Sequence, residues 1–140
     1  MEPITIREII EAVGGTLLGE FRDLDRTVTH VFTDSRKPDP GALFIPLVGE
    51  RFDGHAFIEA ALEGGAAGCF TQRERESYLP GKFYIKVGNT QRALRDLARW
   101  YKQKFPIPFI AITGSVGKTT TKDMVGGVLG EKFKVLKAEG

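Results

Sequence analysis

The chain has 140 residues, with 20 Lys and Arg against 18 Asp and Glu, and its net charge of +2 is spread without a dense basic run. That balance argues against a nucleic-acid or membrane-surface partner. Hydrophobic residues at 41% and charged residues at 27% belong to a globular protein and exclude a disordered, fibrous or coiled-coil chain.

Thr5-Ile-Arg-Glu8 has the spacing of a capping box, and Ile6, Ile9, Ile10 and Val13 recur at helical intervals up to Gly14-Gly15, so an amphipathic helix is expected over this stretch. Thr16 to Gly19 reads as a brief strand, and Glu20 to Arg26 as an exposed loop. Val28 to Thr33 alternates like one strand ending at Asp34-Ser-Arg36, and Ala42 to Val48 is apolar enough for a buried strand, with Pro46 marking an edge or bulge. The loop Gly49-Glu-Arg-Phe-Asp-Gly-His55 leads into a helical pattern over Ala56 to Glu63. His55 beside Asp53 invites an acid–base reading, although a loop histidine at a helix start is more often a cap or a surface group.

Ala67 to Thr71 is a short strand whose Cys69, the only cysteine, reads as a small buried hydrophobe, so no internal disulfide is possible. Phe83 to Val87 is a further strand, after which Asn89 or Thr90 caps a helix with Ala93, Leu94, Leu97, Ala98 and Tyr101 on its apolar face. Trp100 and Tyr101 read as packing residues. Phe105-Pro-Ile-Pro108 breaks that helix and marks a domain boundary.

Beyond the boundary, Phe109 to Ile112 has the character of a buried parallel strand, followed by Thr113-Gly-Ser-Val-Gly-Lys-Thr-Thr-Thr121 and a helix. This is a strand-to-helix phosphate cradle. Gly114 and Gly117 permit close approach of an anion to backbone N–H groups, together with Ser115, Val116 and Thr120 of the same loop. Lys118 reaches the β- and γ-phosphates of a nucleotide, and Thr119 offers a hydroxyl to the accompanying magnesium ion. The strict pattern G-x-x-x-x-G-K-[ST] wants glycine where this chain has Ile112. Lys132 to Lys137 is expected to form a second strand. Since strand, helix and strand cannot bury their own apolar surface, this portion is expected to be an incomplete domain.

The segment Ala111 to Met124 resembles the Mur ligases, whose variant loop reads T-G-[TS]-x-G-K-[TS] and has no need of glycine at Ile112. Thr33-Asp-Ser-Arg36, Pro40 to His55 and Val135 to Gly140 resemble the same family nearly end to end. The resemblance implies an α/β chain with a small mixed-sheet N-terminal substrate domain over residues 1–106, followed by the truncated start of a P-loop ATPase domain over residues 107–140. It further implies a cytoplasmic, ATP- and Mg2+-dependent ligase that joins D-alanyl-D-alanine to UDP-N-acetylmuramoyl-tripeptide through an acyl phosphate. Such a protein is expected to act as a monomer with no membrane span and no nucleic acid.

By matching position, Thr33, Ser35 and Arg36 resemble uridine and diphosphate contacts, and Glu50, Arg51 and Phe52 a second substrate-contacting loop. Lys118 is the expected catalytic residue and Thr119 the expected metal contact. The chain by itself is expected to show no turnover. The competing expectation is a self-sufficient nucleotide or UDP-sugar binding module without catalysis; a folylpolyglutamate-synthase-like enzyme would leave the upstream motifs unexplained.

Overall fold

The computed structural model describes residues 1–139 and divides the chain into two compact units, Met1–Phe105 and a second beginning at Pro106. In the first unit, β1 (Ile4–Thr5) runs directly into α1 (Ile6–Val13). The capping box is complete: the Thr5 hydroxyl accepts from the Glu8 backbone N–H while the Glu8 carboxylate accepts from the Thr5 N–H at 2.8 Å. Gly14 closes the helix in the left-handed conformation at φ 62°.

Seven strands form two sheets among the described residues. β1 pairs antiparallel with β3 (Thr27–Val28), and a five-stranded sheet runs in the order β2-β7-β6-β5-β4. Its members are β2 (Thr16–Leu18), β4 (Val31–Phe32), β5 (Leu43–Phe44), β6 (Gly68–Thr71) and β7 (Phe83–Lys86). β4 to β7 are mutually parallel and β2 adds an antiparallel edge on β7.

The expected single strand over Val28 to Thr33 is two strands in different sheets. Val28 pairs with Ile4 whereas Val31 pairs with Leu43, so the chain changes partner at Thr29-His30. Ala42 to Val48 likewise contributes only Leu43–Phe44 to the ladder, just before Pro46, which has no N–H to donate.

Alternation along the strands divides the core between the two faces of the sheet. Leu43, Ile45, Phe70, Phe83 and Ile85 pack with Ile6 and Ile9 of α1 and with Ala93 and Leu97 of α3 (Thr90–Gln103). Phe44, Cys69 and Tyr84 point the other way, onto Ile58, Ala61 and Leu62 of α2 (Ile58–Glu63). Trp100 and Tyr101 pack against the first cluster, as the helical spacing predicts. Burial lifts the Cys69 thiol to about 12, which leaves it an inert core group.

The second unit differs from expectation. α4 (Lys118–Gly130) forms, but neither Phe109 to Ile112 nor Lys132 to Lys137 is a strand. A strand exists only by pairing, and the described residues of this unit hold no ladder; Phe109 and Ile110 are exposed. The segment after α4 instead lies along the helix, tied by Lys122 Nζ to the Ala138 carbonyl at 2.8 Å and by Lys137 Nζ to Asp123 at 3.4 Å. Gly140 of the expected second domain lies outside the described residues.

Candidate functional site

Because β4, β5, β6 and β7 are parallel, their carboxyl ends open at one side of the sheet, the side where α/β sheets bind ligands. Four loops meet there: Thr33–Arg36 after β4, Ile45–His55 after β5, the segment from Gln72 after β6, and Val87–Asn89 before α3. β4 and β5 are neighbours in register, Phe32 opposite Phe44, so the two predicted substrate loops leave adjacent strands. The sheet therefore brings Thr33, Ser35 and Arg36 to the same end as Glu50, Arg51 and Phe52.

Within the first loop, Thr33 is exposed, Ser35 is half-buried and Arg36 is exposed. Arg36 folds back on Asp34, with Nε donating to Oδ1 at 2.8 Å, Nη2 to Oδ2 at 2.9 Å, and its backbone N–H to Oδ1 at 3.1 Å. The bidentate guanidinium, then the backbone N–H, hold the Asp34 carboxyl down at about 2, and the carboxylate in turn raises Arg36. The ion pair is local to the turn, and it pre-sets the arginine's direction through Nε and Nη2.

A pH expectation follows from that pair. The folded carboxyl titrates below its ordinary value of 3.8, so the pair's contribution is present above that value and disappears as pH falls through about 2. Carboxyl-carbon NMR of Asp34 should show a midpoint near 2, and Arg36→Ala should return it toward 3.8. An unchanged midpoint in the variant would mean that some other group holds the carboxylate.

The second loop is a tight hairpin. Val48 and Asp53 form a bridge, the Gly49 N–H donates to the Phe52 carbonyl at 2.9 Å, and the Gly54 N–H donates to the Leu47 carbonyl at 2.9 Å. A Cβ on Gly54 would come within 2.7 Å of that same carbonyl oxygen, so only glycine lets the returning chain lie this close. Glu50, Arg51 and Phe52 occupy the tip and are exposed, Phe52 at 57%.

His55 is not at the surface, and it caps nothing. Asp53 caps the 3-10 turn Gly54–Phe57 that leads into α2, while the His55 ring is buried. Its Nδ1 donates to Asp53 Oδ1 at 2.7 Å, and its Nε2 accepts from the Gln72 backbone N–H at 3.0 Å. Gln72 Oε1 accepts from Thr90 N–H at 3.1 Å and from its hydroxyl at 3.2 Å. Asp53 also takes Arg73 Nη2 at 3.2 Å on its second oxygen. The His55 backbone N–H, then its ring, hold the Asp53 carboxyl below the usual range. Gln72 and Thr90 carry no local sequence signal for this role; only the Asp53–His55 spacing hinted at it.

In the second unit, Gly114 (φ 147°) and Gly117 (φ 77°) adopt conformations that side chains resist, immediately before α4. No side chain caps α4, and a Cβ at Gly117 would meet nothing within 4 Å. Ser115, Val116, Lys118, Thr119 and Thr120 are all exposed around this turn. The donor set fits a nucleotide phosphate: uncapped N–H groups at a helix N-terminus, an ammonium and two hydroxyls. Among the described residues no group of three or more His, Cys, Asp or Glu side chains could hold a metal by itself.

A family model described as "Mur ligase family, catalytic domain" matches residues 27–102, more than half of the chain. The chain belongs to the Mur ligase family. The matched stretch carries the carboxyl-end loops and ends before the phosphate turn. Two Mur ligase relatives are UDP-N-acetylmuramoyl-tripeptide--D-alanyl-D-alanine ligases. The one from Bacillus subtilis is 44% identical over 97% of this chain and 30% of its own length. That from Escherichia coli is 36% identical over 100% of this chain and 29% of its own.

Solved Mur ligase structures agree. Crystal structure I of MurF from Acinetobacter baumannii superposes with a TM-score of 0.83 at 30% identity, covering 94% of this chain and 28% of that one. MurF from Thermotoga maritima in complex with ADP superposes at 0.68 and 33% identity, covering 79% and 25%. The chain thus spans about 30% of the length of the curated relatives it matches. Among the described residues no helix is long and apolar enough to cross a membrane.

Proposed function

We propose that the chain supplies substrate recognition and the nucleotide-phosphate grip for a cytoplasmic ligase that joins D-alanyl-D-alanine to UDP-N-acetylmuramoyl-tripeptide. The observation that carries this reading is the likeness, along almost the whole chain, to relatives whose name states that reaction. Residues 1–106 form the recognition domain and residues 107–140 belong to the ATPase domain.

Thr33 and Ser35 offer hydroxyls to a uridine, and Arg36, aimed by Asp34, and Arg51 offer guanidinium groups to the diphosphate. Glu50 and Phe52 at the hairpin tip complete a shallow surface with one acceptor and one apolar face. At the phosphate turn, the backbone N–H groups after Gly114 and Gly117 cradle the phosphates, with Ser115, Val116 and Thr120 in the loop. Lys118 draws charge from the transferring phosphoryl group, and Thr119 is placed to hold a Mg2+ ion. ATP, when bound, supplies the phosphoryl group that activates the substrate carboxylate. These residues act by orientation and charge neutralisation, which is what phosphoryl transfer asks of a protein.

Isothermal titration of the chain with UDP-N-acetylmuramoyl-tripeptide, and separately with ATP, tests the reading. Heat of binding for the UDP-sugar peptide without appreciable ATP binding is the expected result. Tight binding of ATP alone would overturn it in favour of a free-standing nucleotide module.

A further inference from the structure

The hydrogen bonds around His55 join two of the four loops at the carboxyl end of the sheet to the first residue of α3. Asp53 closes the hairpin that displays Glu50, Arg51 and Phe52; Gln72 follows β6; Thr90 begins α3. Each ring nitrogen has a fixed role. A carboxylate only accepts, so Nδ1 carries the proton toward Asp53, and a backbone N–H only donates, so Nε2 must be bare toward Gln72. This is one tautomer of the neutral imidazole. A second proton on Nε2 would set N–H against N–H at 3.0 Å inside a side chain that is only 8% exposed. The ring must then leave Gln72, which breaks the buried bond between the hairpin and the backbone after β6 and leaves the exposed Arg73–Asp53 ion pair to span the two.

We infer that His55 is a positioning residue whose neutral form locks the Glu50–Phe52 hairpin for substrate, so that acidification unlocks the binding surface. The substrate part of this inference rests on the function proposed above. The charged groups lining the cavity of about 480 Å³ beside the ring are consistent with a lock that the ring itself controls. Asp53 is engaged by Arg73, Glu59 by Arg75 at 2.8 Å, and Glu74 by Lys86 at 2.9 Å, while Glu76 lines the rim. Asp53 is held below the ordinary carboxylate range, first by the His55 backbone N–H and then by its ring.

The test compares wild type, His55→Gln and His55→Phe in the ligand-free chain by amide NMR along an acid titration that stops before the fold is lost. Glutamine can keep an acceptor toward the Gln72 N–H but cannot take up a proton; phenylalanine removes both bonds. In wild type, acid should move the Glu50, Arg51, Phe52, Gln72 and Thr90 amides toward their positions in His55→Phe. In His55→Gln these amides should stay near the wild-type alkaline positions throughout.

UDP-N-acetylmuramoyl-tripeptide affinity should fall about tenfold across the same range in wild type, as for loss of one hydrogen bond, and stay level in His55→Gln. A hairpin that ignores pH in wild type, or responds equally in His55→Gln, overturns the lock. If the amides behave as expected and the UDP-sugar peptide binds at neither pH, the lock stands and the proposed substrate falls.

Discussion

Lys118→Ala, placed in a full-length ligase of this family, is expected to lower turnover about a thousandfold, the size of effect seen when one group that stabilises transition-state charge is removed. Lys118 is the first residue of α4, directly after Gly117 in its left-handed conformation, and no side chain competes for the helix N-terminus. Its ammonium is the only fixed positive charge in the segment Thr113–Thr121, so the backbone N–H groups alone would have to offset the charge that develops on the phosphoryl oxygens. The loss should appear in kcat. Affinity for the UDP-sugar peptide should be untouched, because the loops proposed to hold it belong to the other unit. Phosphate release with all three substrates measures the first quantity and calorimetry the second. Turnover within tenfold of wild type would remove Lys118 from the mechanism.

Gly68→Ala is expected to destabilise the first unit by roughly 3 kcal/mol, the upper end of the usual cost of overpacking a core. Gly68 opens β6, the middle strand of the sheet, opposite Phe83 on β7. A Cβ there would run into the Phe83 carbonyl oxygen as well as its ring. A ring can turn aside; a ladder carbonyl cannot without parting β6 from β7. In a unit of this size the melting temperature should fall by more than about 10 °C. A drop of only one or two degrees would show that the two strands separate more easily than their register implies.

What could be read from the residues alone was what short range decides. The Thr5–Glu8 box, the Asn89 cap and the stripe through Ala93 and Leu97 each lie within a turn or two of the groups they satisfy, and all are present. The turn before α4 was legible because its glycines and lysine fall within five residues, Gly114 to Lys118. Long-range choices were not. The alternation in Val28 to Thr33 is the same whether its residues pair with Ile4 or with Leu43, so the change of sheet left no mark. Phe109 to Ile112 reads as a strand from its side chains, yet strand formation needs a neighbour that this unit does not provide among its described residues.

The candidate site divides in the same way. Thr33-Asp-Ser-Arg36 is visible as a motif, but the bidentate hold of Asp34 on Arg36 depends on a turn geometry and rotamers that the residue types do not specify. From sequence His55 reads as a cap or a surface group, because its partner, the Gln72 N–H, is 17 residues away. A backbone N–H has no residue type to announce it, so no pattern of side chains could have pointed there.

The two outer strands of the five-stranded sheet carry a further consequence. β2 offers three residues at one border and β4 only two at the other. So little unsatisfied backbone gives a passing chain almost nothing to zip onto, and sheet extension between molecules is starved of a template. The first unit can therefore keep a broad, parallel sheet end open without inviting the fibrous association that longer borders encourage.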